Sequence, residues 1–274
     1  MQPELALNVS LVLPTLPFLD RFAAAADGGW TAVEFWWPWD ERRAGLSFGA
    51  VDAAVRRAGV RVVLLNMDGG DFSAGERGLA GVPGREVDFR HAAEEAFELA
   101  ELVHCPSLNV LAGRVVAGGS AGSQRDLLVA NLALAAELAG PGRQVLLEAL
   151  NAADLPGYLV PDSGTALELL GRTGRDDVHF QLDAYHLATI GEPIPDVIRR
   201  ASEKVGHVQL ADYPGRHEPG TGHLDLRAIF AALGEIGYRR AIGCEYVASC
   251  PSAPDYSFLT YLLEAIAIAY GSAG

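Results

Sequence analysis

Four polar residues each close a short apolar run in the second half of the chain: Glu148 in LLEALN, Asp183 in QLDAYH, Gln209 in VQLAD and Glu245 in GCEY. Intervals of 35, 26 and 36 residues separate them, about the length of one strand-plus-helix unit. If such units close into a barrel, the four side chains converge at its carboxyl end, where barrels of this kind keep their chemistry. Three carboxylates buried side by side repel one another and lose their hydration, which costs many kcal/mol unless a cation or a proton neutralises them. Convergence therefore implies a metal held by Glu148, Asp183, Gln209 and Glu245, or a protonated carboxyl. Oxygen donors favour a hard dication such as Mg²⁺ or Mn²⁺, whereas a zinc cluster would draw on more histidines and cysteines. A dication between two glutamates suits proton transfer beside a carbonyl. Glu148 or Glu245 removes a carbon-bound proton, an enediolate forms, and the other carboxyl returns a proton to the adjacent carbon.

The elements that must position these residues recur along the whole length. Strand-like runs fall at 5–9, 32–36, 61–67, 107–113, 144–150, 178–185, 207–212 and 241–246. Their nearly continuous apolar character is what a parallel strand buried on both faces requires. Helix-periodic segments lie between them, among them FGAVDAAVRRAG, FRHAAEEAFELAELV and LRAIFAALGEIG, several ending in Gly, a common helix stop. Eight such units predict an α/β fold, a (β/α)8 TIM barrel in a single domain over 1–274. An open doubly wound sheet is the alternative, but its GxGxxG turn is absent.

Three further places carry candidate chemistry. The Gly-rich stretch 68–86, DGGDFSAGERGLAGVPGRE, leaves the end of the third strand and is long enough to be a lid. Arg77 and Arg85 would then be available to meet an anion; the alternative is a passive surface loop. His186, three residues beyond Asp183, could bind a substrate oxygen or serve only as a packed, hydrogen-bonded core residue. Arg216, in the loop after Gln209, places a fixed cation beside the metal ligands, and a guanidinium recognises a carboxylate through paired hydrogen bonds. A substrate bearing a carboxylate is favoured, against the alternative that Arg216 pairs with Glu218 or another acid to hold the loop. Glu34 and the cluster Phe35, Trp36, Trp37 and Trp39 either wall the pocket or pack the core.

The segments AGERG with GVPGRE, LLEALNAADLPGY, QLDAYH, GHVQLADYPGRHEPGTG and IGCEY together resemble the hydroxypyruvate isomerase family, a branch of the xylose isomerase-like TIM barrels. The resemblance covers essentially the whole chain, and PGRHEPGTG is its most specific part. It implies interconversion of hydroxypyruvate and tartronate semialdehyde, or of a related 2-oxo acid such as 2-dehydrotetronate. Glu148 and Glu245 match the family's catalytic acid/base pair, and Asp183 and Gln209 its remaining metal positions. By looser similarity to related sugar epimerases, His186, Arg216 and Asp154 would contact substrate. Two departures touch the substrate's surroundings. The family's His-Asn pair after the third strand is here Leu65-Asn66, which leaves Asn66 as the polar contact, and Val247 stands where a Lys often follows the last strand. The resemblance also implies a homo-oligomer.

Composition narrows the partners. A net charge of −14 and a pI near 4.9 disfavour nucleic acid. Three cysteines without CxxC spacing point to neither a disulfide framework nor a zinc ribbon. The absence of a signal-like start or an apolar run of about eighteen residues predicts a cytoplasmic protein without a membrane span. The rival readings are a ketose 3-epimerase or aldose isomerase on a neutral sugar, an endonuclease IV-like phosphodiesterase, and a catalytically silent sugar-acid binder.

Overall fold

A computed structural model describes residues 2–271. Eight parallel strands pair in sequence order: β1 (Leu5–Asn8), β2 (Ala32–Trp36), β3 (Arg61–Asn66), β4 (Ser107–Val110), β5 (Gln144–Glu148), β6 (Val178–Asp183), β7 (Val205–Leu210) and β8 (Ile242–Cys244). The last strand pairs with the first, Leu5 opposite Ile242 and Leu7 opposite Cys244, so the sheet closes. This is the (β/α)8 barrel the strand spacing predicts. Helices lie between the strands and wrap the barrel: Phe48–Ala58 starts on the Ser47 side chain and stops at Gly59, where φ is 69°.

Alternate residues of each strand face the barrel axis. Two apolar groupings result. Large side chains such as Phe22, Phe35, Phe89, Phe180 and Phe230 fill the layer between sheet and helices. A small cluster, Ala6, Ala32, Val63, Leu64 and Leu146, fills the barrel itself. Towards the carboxyl ends the inward positions turn polar: Asn8, Glu34, Asn66, Asn109, Glu148, Gln181, Asp183, His207, Gln209 and Glu245 are all buried.

Several strands end earlier than their apolar runs. β6 stops at Asp183 because its carboxylate accepts from the backbone N–H of Tyr185 at 2.8 Å and of His186 at 3.2 Å, capping the helix Ala184–Thr189. This lifts His186 over the barrel mouth. β4 stops at Val110, after which the chain serves the long excursion that follows β3. There Gly78 bridges Ala112, the N–H of Gly81 donates to the Ala112 carbonyl at 2.8 Å, and the Asn131 side chain donates to the Ala80 carbonyl at 2.7 Å. Among the described residues no helix is long and apolar enough to cross a membrane.

Candidate active site

The barrel mouth holds a cavity of about 360 Å³, lined by Trp36, Trp39, Asn66, Phe72, Arg77, Leu111, Glu148, Leu150, Asp154, Leu155, His186, Arg216 and Glu245. Of the nine residues singled out from sequence, seven therefore line it. Asp183 lies just beneath, close to Glu148 and His186. Gln209 turns inward instead. Its amide nitrogen donates to Glu34 at 2.6 Å and its carbonyl accepts from Gln181 at 2.7 Å, so both ends of the side chain are used within the barrel.

The two glutamates sit in different surroundings. Glu148 receives one side-chain hydrogen bond, from Asn109 at 2.8 Å. Burial, followed by the charges of Glu245 and Asp183, holds its carboxyl well above the usual range. Glu245 receives three: Asn8 at 2.8 Å and Trp36 at 2.6 Å on Oε1, and Arg216 at 2.6 Å on Oε2. Burial still pushes it up to about 8, against the pull of Arg216. Asp183 is raised by burial as well, with Arg216 opposing.

Arg216 pairs with acids of the site and not with Glu218. Its guanidinium turns into the site, 2.6 Å from Glu245 and 3.5 Å from Asp183, on a backbone with φ of 59°. Glu218 instead accepts from the backbone and hydroxyl of Ser249. Arg85 is bound up with Glu76 and Asp88, away from the cavity. Arg77 remains on the lining, its guanidinium held by the carbonyls of Phe72 and Glu76 and stacked over the Phe72 ring at 4.8 Å. Among the described residues it has no acidic partner. Burial and the nearby Arg114 guanidinium lower its pKa. Of these two neighbouring cations, Arg77 is the one on the cavity lining. Phe72 packs on Trp39 with centroids 4.2 Å apart, so the excursion after β3 and the tryptophan cluster after β2 wall the pocket together.

Glu148, Asp183 and His186 each offer an atom within 4.8 Å of the others, close enough to hold one metal ion. The hydrogen bonds of His186 qualify its part. Its Nδ1 accepts from the backbone N–H of Asn151 at 3.2 Å, and burial pushes the ring down to about 3. A neutral imidazole with an accepting Nδ1 carries its proton on Nε2. That Nε2–H is a donor for an oxygen, not a lone pair for a metal. The fit to a dication therefore rests on the carboxylate oxygens of Glu148 and Asp183, while the oxygens of Glu245 are taken by Asn8, Trp36 and Arg216. Asp154 closes the rim. Although burial pushes its carboxyl up, hydrogen bonds from Asn151 at 2.9 Å and Tyr185 at 2.9 Å outweigh it and hold the group below its ordinary value.

Sequence reasoning missed Asn8, Asn109, Asn151, Tyr185 and His207, all bonded to site residues. A signal existed for two of them. Asn8 in LALN and Asn109 in SLNV sit at the ends of apolar runs much as the four singled-out residues do.

A closed parallel barrel with a ring of buried carboxylates at its carboxyl ends defines a (β/α)8 enzyme-type scaffold with its site in the customary place. The family model described as "Xylose isomerase-like TIM barrel" matches residues 22–259, and the chain belongs to that family. A "Putative hydroxypyruvate isomerase" of Streptomyces coelicolor is 38% identical over 261 residues, covering 92% of this chain and 94% of that protein. A "2-oxo-tetronate isomerase" of Pectobacterium atrosepticum is 35% identical over 245 residues, covering 89% and 92%. Among solved structures, one titled as an AP endonuclease, family 2, from Brucella melitensis superposes with a TM-score of 0.87 at 33% identity, over 94% of this chain and 99% of that one.

Proposed function

We propose that this protein is an aldose–ketose isomerase acting on a small 2-oxo acid, interconverting hydroxypyruvate and tartronate semialdehyde or the corresponding pair derived from 2-oxo-tetronate. The observation that carries this reading is the pairing of Glu148 and Glu245 on one cavity, both buried and both raised above the ordinary carboxyl range. A carboxyl raised towards neutrality can both take and return a proton. One glutamate removes a proton from the hydroxymethyl carbon beside the carbonyl, giving an enediolate. The other delivers a proton to the former carbonyl carbon, and the hydroxyl proton passes from one oxygen to its neighbour. His186, buried on the cavity lining with Asn151 on its Nδ1, has Nε2–H to donate to a substrate oxygen.

The carboxylate of the substrate is assigned to Arg77 rather than to Arg216. Arg216 is committed to Glu245 and Asp183, whereas Arg77 lines the mouth beside Arg114 with no acid to neutralise it. The relatives' names favour the same substrate class, and so does the charge of −14, which speaks against a polyanionic substrate such as nucleic acid. Mg²⁺ or Mn²⁺ would be held by the carboxylates of Glu148 and Asp183; when bound, such an ion neutralises the cluster and polarises a carbonyl.

Proton NMR in D2O with hydroxypyruvate, then with 2-oxo-tetronate, tests the reading, each with Mg²⁺ or Mn²⁺ and again with chelator. Deuterium entering the product at the reacting carbon is the expected result. Both acids remaining inert while a neutral ketose exchanges its proton would overturn the substrate assignment.

A further inference from the structure

Beneath Glu245 lies a second acid that the proposed chemistry does not use. Glu34, on β2, is fully buried. Its Oε2 is 2.7 Å from Nε2 of His207 on β7, itself buried, and its Oε1 accepts from Asn8 at 3.0 Å and Gln209 at 2.6 Å. The fold makes room for this carboxylate: a Cβ on Gly243 would stand 2.2 Å from its Oε2 and 2.7 Å from its Oε1. The strand registers also shift at this level, between Val33 and Glu34 against β3 and between Phe180 and Gln181 against β7. Stability alone does not call for such an arrangement, since replacing a buried acid–base pair by apolar side chains of like volume is often neutral or stabilising.

What the arrangement does instead is visible at Asn8. The Asn8 carbonyl oxygen accepts from the backbone N–H of Ser10 at 3.2 Å and of Leu11 at 3.0 Å, which fixes the amide's orientation. Its two amide protons then point one at Glu34 Oε1, 3.0 Å away, and one at Glu245 Oε1, 2.8 Å away. A side-chain amide does not relay protons at neutral pH, so the link is one of position and not of conduction. With Asn8 and Trp36 both on Oε1 of Glu245, its Oε2 is the oxygen left towards Arg216 and the cavity.

We propose that Glu34, held by His207, is a positioning residue: through Asn8 it fixes the Glu245 carboxylate so that Oε2 meets the substrate proton. The proposal rests on the reading of Glu245 as a proton-transfer group. Glu34 touches neither substrate nor cavity, and its effect is on the rate of the chemical step and not on binding.

The test is a double-mutant cycle with Glu34→Leu and Asn8→Ala on the full chain, with kcat and KM measured on the 2-oxo acid that proves active. Each single variant is expected to lower kcat about 10- to 100-fold with KM within about threefold of the parent, the scale of a misplaced catalytic group. The double variant is expected to fall no further than the worse single one, because both remove the same brace. Glu34→Gln keeps an oxygen for Asn8 and an amide for the other tautomer of His207, and is expected to restore most of the rate lost with Leu. Folding is checked by circular dichroism; if Glu34→Leu does not fold, Asn8→Ala alone decides by its kcat at unchanged KM. Parental kcat in Glu34→Leu or Asn8→Ala, or additive losses in the double variant, overturns the proposal. Glu245→Gln separates the two levels. Inactive Glu245→Gln beside fully active Glu34→Leu removes only the brace, whereas active Glu245→Gln removes the proton-transfer reading itself.

Discussion

His186 gives a prediction whose size can be worked from its surroundings. Burial, with Arg216 adding to it, moves the imidazole from 6.5 down to about 3. In the unfolded chain the ring takes up a proton as pH falls through 6.5, while the folded protein leaves it neutral until about 3. The unfolded state therefore binds more protons across that window, and stability is lost as pH falls through it. Lowering the pH from about 7.5 to about 5.5 should cost about 1.4 kcal/mol through this residue alone. His186→Gln retains an oxygen to accept the Asn151 N–H and has nothing to titrate. Urea unfolding of both proteins at the two pH values, in chelator so that metal binding adds nothing, isolates the term by subtraction. The parent should lose about 1.4 kcal/mol more than the variant. Equal losses would refute the assignment of a neutral, Nε2-protonated His186, and with it the role given to it as donor to a substrate oxygen.

Two further predictions bear on the cavity walls. Asn109→Ala removes the one side-chain hydrogen bond to Glu148; a bond to a charged group is worth about 1.5–3 kcal/mol, so proton exchange into the 2-oxo acid, followed by NMR in D2O, should slow by about 10- to 100-fold. Gly78→Ala places a Cβ 2.2 Å from the Leu111 carbonyl oxygen at a φ of 125°. It should lower the urea stability by about 1–3 kcal/mol and expose the 68–86 stretch to protease, and an unchanged protease pattern would show that this stretch is not anchored at Gly78.

Most of the barrel was legible because parallel strands buried on both faces leave runs such as RVVLLN and QVLLE that little else explains. Strand ends were less so. Whether Ala184 and Tyr185 continue β6 or begin a helix depends on the Asp183 side chain choosing the backbone N–H groups beyond it, a local competition that hydropathy does not record. In the site, the positions of Glu148 and Glu245 followed from spacing, while apolar lining residues such as Leu111, Leu150 and Leu155 carry no such signal. The orientation of Gln209 did not follow either, because it depends on Glu34 and Gln181 from two other strands. Arg216 likewise had Glu218 in its own loop as the acid nearest in sequence, whereas its partner Glu245 comes from across the barrel. The hydroxyl and backbone of Ser249 decide between them by occupying Glu218.

The excursion after β3 is laced to β4 and its continuation rather than hinged at its base. Met67 N–H bonds the Asn109 carbonyl, Gly113 N–H the Arg77 carbonyl, and Gly81 N–H the Ala112 carbonyl. Asn109 is also the donor to Glu148. A swing of the whole excursion would pull on the strand whose Asn109 steadies Glu148, whereas a movement of the tip, where Phe72 lies on Trp39, would leave that strand alone. The stacked rings of Phe72 and Trp39 are thus the part of this wall least tied to the barrel beneath.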